Sequence, residues 1–184
     1  MVDLKTGNTI KEFQYDCSPE HVIFNKDGTR AYVFCSGDDY FHPGSTSCII
    51  IFDTARHEEI KRVIPPFGLF ADSMYLNKDE TRLYGVTNRG LIWTMDTSTG
   101  KFTDCLEYGG VSYNSSYNPV KDYLYVPGKD GIRILYASTG TDTQGRIVIP
   151  GATYNVTSIT KDGKYILIND NVRDTLYRVD LNTR

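Results

Sequence analysis

Six residues in the first half of the chain have side chains that bind cations: Glu20, His21, Asp38, Asp39, His42 and Asp72. Carboxylate oxygens suit hard divalent ions and imidazole nitrogen suits zinc, so together they raise the prospect of a divalent cation site. Their spacing matches no established ligand pattern, and a solvated loop accounts for Asp38, Asp39 and His42 equally well. Glu20 and Asp72 would act as a general acid and base only if one carboxyl titrated well above its ordinary range. Arg89 and Arg173 are candidate anion contacts, although arginines beside turns commonly serve solubility.

The four cysteines are the other reactive groups. Cys35 ends one apolar run and Cys48 begins the next, so the two flank a single hairpin and are expected to face each other within disulfide range. Cys17 and Cys105 fall at different phases of the chain's repeat, which makes their pairing a weaker expectation. No C-x-x-C pair is present, so spacing alone points to no cysteine metal site. Free buried thiols are the alternative to a bridge.

The elements that must position these residues recur. A polar turn followed by a short aromatic or β-branched run appears as Asp27-Gly28-Thr29-Arg30-Ala31-Tyr32-Val33, Asp79-Glu80-Thr81-Arg82-Leu83-Tyr84-Gly85, Lys121-Asp122-Tyr123-Leu124-Tyr125-Val126 and Asp162-Gly163-Lys164-Tyr165-Ile166-Leu167-Ile168. Counting from Tyr32 through Tyr84 and Tyr125 to Leu167, the intervals are 52, 41 and 42 residues. A second marker, seen at Asp53-Thr54, Asp96-Thr97 and Asp180-Leu181, closes a later strand of each unit. Short polar side chains there bond the nearby backbone and hold the turn.

A period in the low forties is that of four-stranded propeller blades. The expected fold is therefore an all-β propeller of four-stranded antiparallel blades, with four repeats in one repeat region spanning 1–184. The blades are placed at about 19–64, 71–108, 112–149 and 155–181, with 9–15 completing the last. That completion rests on terminal complementarity, since shared terminal strands remove free sheet edges. A closed four-bladed ring, two chains joined head to tail as a homodimer, and a partial ring or fragment of a longer array all satisfy it.

The repeat resembles the YVTN-type β-propeller family, a relative of WD-repeat and lactonase propellers. The likeness lies in Lys26-Asp27-Gly28-Thr29-Arg30-Ala31-Tyr32-Val33 followed by Ile49-Ile50-Ile51-Phe52-Asp53-Thr54. The third unit departs from it, with Pro119-Val120-Lys121 at the turn and Leu135-Tyr136-Ala137 at the second marker. The resemblance implies two kinds of function: an enzyme, either a lactonase-like hydrolase or a propeller subunit of a periplasmic dehydrogenase, and a structural surface-layer repeat protein.

Strand phase nominates a site. The start of each innermost strand carries Glu20, Asp72, Tyr113 and Asn155, with His21 beside the first, and the facing loops bring Asn88, Arg89 and Asn169. These are the expected ligand residues of a polar channel mouth, while a merely wet channel would show the same polarity. The projecting loop between Cys35 and Cys48 carries Tyr40 and Phe41, and with the apolar connection at 65–70 it could form a partner patch.

Composition narrows the partners. A net charge of −3, a pI near 5.6 and dispersed basic residues carry no footprint for nucleic acid. No apolar run approaches the roughly 20 residues of a membrane helix, and Met1-Val2-Asp3 opens on a repeat marker without signal-peptide character. Absent any nucleophile or phosphate-loop motif, the leading reading is a non-enzymatic module that presents loops and a channel mouth to a protein or small-molecule partner. A periplasmic or extracellular setting is slightly favoured.

Overall fold

The computed structural model describes residues 1–37, 46–65, 71–87, 90–107, 114–154 and 156–182. Among them the chain divides into two compact units, Met1–Leu69 and Phe70–Arg184.

The first unit is one antiparallel sheet made of β1 (Ser18–Phe24), β2 (Arg30–Ser36), β3 (Cys48–Asp53) and β4 (Glu58–Val63), in sequential order. Its strands draw on the β-branched and aromatic residues that suit a pleated surface, as in the run Ile49-Ile50-Ile51-Phe52. The second unit repeats the meander. It contains β5 (Ser73–Leu76), β6 (Arg82–Val86), β7 (Leu91–Asp96) and β8 (Phe102–Glu107) in one sheet, and β9 (Ser116–Asn118), β10 (Tyr123–Gly128), β11 (Gly131–Tyr136) and β12 (Asp142–Ile147) in the next. A three-stranded sheet of β13 (Val156–Ile159), β14 (Tyr165–Asp170) and β15 (Thr175–Asp180) follows.

The sheets of the second unit pack face to face. Tyr84, Val86 and Ile92 of the first meet Leu124, Val126 and Leu135 of the second in one buried cluster. Tyr125, Ile132 and Ile147 meet Ile166, Ile168 and Leu181 in another. Strands thus bury apolar residues on both faces, which is why the sequence runs are only partly alternating.

Turn chemistry explains why the repeat is visible. In the first copy the Asn25 side-chain oxygen accepts the Arg30 N–H at 2.8 Å, and Gly28 takes φ 70°. Asn77 repeats the bond to Arg82 at 2.8 Å, but Glu80 occupies the left-handed position with φ 60°. The divergent third copy turns differently and without glycine: Asn118 accepts the N–H groups of Val120 and Lys121, two and three residues on, and Asp122 adopts φ 55° one place later than the left-handed residue of the other copies.

Residues 9–15 carry no strand. Val2 bridges Thr9 to close a small loop, and the chain then crosses the first sheet. Phe13 meets the Phe52 ring edge-on at 4.9 Å between centroids, and Tyr15 does so at 6.3 Å. Asp16 pairs with Arg62 at 3.0 Å, and the Lys11 ammonium donates to the His57 carbonyl at 2.7 Å. These contacts tie the segment to the first sheet as a strap, whereas terminal complementarity suggested an outer strand beside 174–181. Among the described residues β15 is the edge of its sheet.

Candidate functional site

The residues expected at a channel mouth are distributed over both units. Glu20 is the bulged residue between Pro19 and His21 in β1, and its exposed carboxylate accepts the Ser36 hydroxyl at 2.6 Å. His21 lies opposite Phe34 and is half-buried. Asp72 precedes β5, where its N–H donates to the Val86 carbonyl at 2.8 Å. Asn169 is exposed in β14, opposite Val156 and Leu176. Asn88, Arg89, Tyr113 and Asn155 lie outside the described residues, as do Asp38, Asp39, Tyr40, Phe41 and His42. Arg173 donates to the Pro150 carbonyl at 3.4 Å, so its guanidinium already has a partner.

One to three residues along from the expected row, the second unit joins its inner strands with hydroxyls. The Ser73 and Ser115 hydroxyls meet at 2.7 Å, and Tyr75 donates to the Ser115 carbonyl. Ser116 donates to the Thr157 hydroxyl at 2.9 Å, and Thr157 donates to the Asn114 carbonyl at 3.1 Å. All four hydroxyl residues are buried. Satisfied in this way, they hold adjacent inner strands together and are not left open to a ligand. Their recurrence at nearly the blade period was the signal in the sequence, but serine and threonine do not stand out beside charged residues.

The first sheet holds the more distinctive features. Register sets Val22 opposite Val33 and Phe24 opposite Ala31, with Ile50 and Phe52 next to them across β2 and β3. The strap covers part of this face, leaving an open groove of about 500 Å³ whose apolar lining includes Phe13, Tyr15, Val22, Phe24, Val33 and Phe52. Val22 and Phe24 remain 54% and 59% exposed. Glu12, Asp53 and Thr54 give the groove a polar border.

Beside the groove three buried thiols converge. Cys35 and Cys48 are direct cross-strand partners, and the strap delivers Cys17 to the same face. The Cys17 and Cys48 sulfurs are 3.5 Å apart, and all three sulfurs lie within 4.8 Å of one another. All three are free thiols in this structure. The expected facing of Cys35 and Cys48 thus includes a third member that linear spacing did not reveal. Cys105 lies in β8, with its side chain outside the described residues.

The three thiols differ in acidity. Hydrogen bonding with Cys35, and after it with Cys17, lowers the Cys48 thiol, aided by the nearby Arg62 charge and opposed by burial. Burial pushes Cys17 up to about 11, and its hydrogen bond with Cys48 acts in the same direction. Cys35 is also raised, first because it donates to Cys48 and then by burial. A first negative charge in the cluster therefore settles on Cys48. Such a set can undergo thiol–disulfide exchange or ligate a soft metal ion.

No family model matches the chain, and no curated protein matches it in sequence. Solved structures do match. Hydrazine synthase of Kuenenia stuttgartiensis aligns with a TM-score of 0.70 at 13% identity, over 96% of this chain and 50% of that one. The β-propeller domain of Cps50 (Swd1) from Myceliophteria thermophila aligns with a TM-score of 0.72 at 13% identity, over 96% of this chain and 56% of that one. The chain thus spans about half the length of each. Identity this low speaks to fold alone. Together with the four antiparallel sheets, the likeness establishes that this is an all-β chain with the β-propeller fold.

Proposed function

We propose that the chain is a non-enzymatic propeller module of the YVTN type, and that the groove on its first sheet receives an apolar segment of a protein partner. The carrying observation is the exposure of Val22 and Phe24 beside the aromatic wall of Phe13, Tyr15 and Phe52. Exposed apolar residues clustered around a concavity, as opposed to scattered singly, mark interaction surfaces. A few large anchors in such a groove carry most of the energy of an interface. The Asp27-Gly28 turn followed by Tyr32-Val33 and Ile49 to Thr54 supports the repeat class.

A displayed peptide library selected on the intact chain tests this reading. Peptides with apolar anchors should emerge, and the double variant Val22→Asp/Phe24→Asp should weaken them at least about tenfold, the effect of losing about 1.4 kcal/mol. Both side chains are already solvated, so circular dichroism should show the variant folded. Selected peptides that bind the variant as tightly, or a library without binders, would overturn the proposal.

A further inference from the structure

We propose that Cys17, Cys35 and Cys48 form a three-thiolate site for a soft closed-shell metal ion, zinc or copper(I). The argument is geometric. A metal bound to three thiolate sulfurs at about 2.3 Å, in or near one plane, separates those sulfurs by about 4 Å. The Cys17–Cys48 separation of 3.5 Å lies close to that value, and every pair of sulfurs lies within 4.8 Å.

The positions of the sulfurs are also fixed by the fold. Cys35 and Cys48 are locked across from each other by the β2–β3 register. Cys17 is held by the strap, which is pinned where Phe13 packs edge-on against Phe52 and Asp16 pairs with Arg62. All three are at most 3% exposed. Ala31, Ile50 and Phe52 surround them, so the site is dry and its only ligand atoms among the described residues are sulfur. Thiolates without oxygen ligands select copper(I) or zinc over magnesium and calcium, and three sulfurs with no fourth donor suit copper(I), whereas zinc ordinarily completes a tetrahedron.

Zinc binding would release one proton from each thiol to solvent and transfer no electrons, leaving one net negative charge. Arg62, whose guanidinium pairs with Asp16 at 3.0 Å and Glu59 at 3.5 Å, also acts on Cys48 with its positive charge. An ion at this place would join the strap to the β2–β3 hairpin.

The test uses the intact reduced chain under anaerobic conditions. Zinc and copper(I) are offered separately, with native mass spectrometry for stoichiometry, a competing chelator for affinity and X-ray absorption for the ligand set. The expected result is one ion per chain, bound through three sulfurs at about 2.3 Å. The arm with the higher affinity identifies the metal. Cys17→Ser and Cys48→Ser should each lower affinity at least about tenfold, while Cys105→Ser leaves it unchanged. The absorption spectrum of the unsubstituted chain decides the question even if a cysteine variant fails to fold. Loss of both ions during desalting, fewer than three sulfur ligands, or a Cys35–Cys48 disulfide that persists under mild reduction would overturn the proposal.

Discussion

Gly85→Ala should be among the most damaging single-methyl substitutions in this chain. Gly85 lies in β6 directly opposite Trp93 of β7, and the indole ring lies over the glycine. A Cβ built at Gly85 would fall within that ring, so the side chain would have to leave its place. Trp93 is 1% exposed and packs edge-on against Phe102, with centroids 5.7 Å apart. An aromatic ring of this size buries about 150–250 Å². At about 25 cal/mol per Å², expelling it would forfeit about 4–6 kcal/mol, an upper bound that partial accommodation brings nearer to 3. Trp93 is the only tryptophan, so its emission reports the event directly. Gly85→Ala should red-shift native emission and lower the urea midpoint. The same substitution in a Trp93→Leu background, followed by circular dichroism, should cost about 1 kcal/mol or less. A blue-shifted Gly85→Ala variant within about 0.5 kcal/mol of the parent would refute the packing reasoning.

Three further outcomes follow from local geometry. Gly163→Ala should destabilise by about 2–3 kcal/mol in chemical denaturation, because the residue has φ 69° and an added Cβ would press on Val120 and the Asn118 side chain. Asp96 accepts bonds from the hydroxyls and N–H groups of Ser98 and Thr99, which hold its carboxyl at about 2, below the ordinary 3.8. A depressed carboxyl stabilises the fold fully above the unfolded value and loses that contribution as pH falls through about 2, so Asp96→Asn should destabilise at neutral pH and converge with the parent in acid. Carbon NMR titration of the carboxyl checks the value directly. A double-mutant cycle on Phe13→Leu and Phe52→Leu should show coupling of about 0.5–1.5 kcal/mol if the strap is seated as described.

The parts of this molecule that could be read in advance are those fixed by local chemistry. The runs Arg30-Ala31-Tyr32-Val33 and Ile49-Ile50-Ile51-Phe52 fall within the strands Arg30–Ser36 and Cys48–Asp53, since polar turn residues and β-branched runs act within a few positions. Even the irregular third turn obeys, because Asp122 tolerates the left-handed conformation that glycine usually supplies. What stayed hidden depends on tertiary packing. Phe13 and Tyr15 read as well in a strand as in a strap, and only their edge-on packing against Phe52 decides that Cys17 arrives beside Cys35 and Cys48. The start of β9 at Ser116 likewise shifts the inner row of the second unit, so buried hydroxyls meet beside the polar residues expected there.

Chemical-shift mapping on the isotope-labelled chain, with the tightest peptide from the displayed library as titrant, tests the groove most directly. The account predicts saturable shifts concentrated at Val22, Phe24, Val33 and Phe52 and at the strap residues Phe13 and Tyr15. Shifts confined to Asn169 and the inner strand ends of the second unit, with the first sheet unmoved, would contradict it.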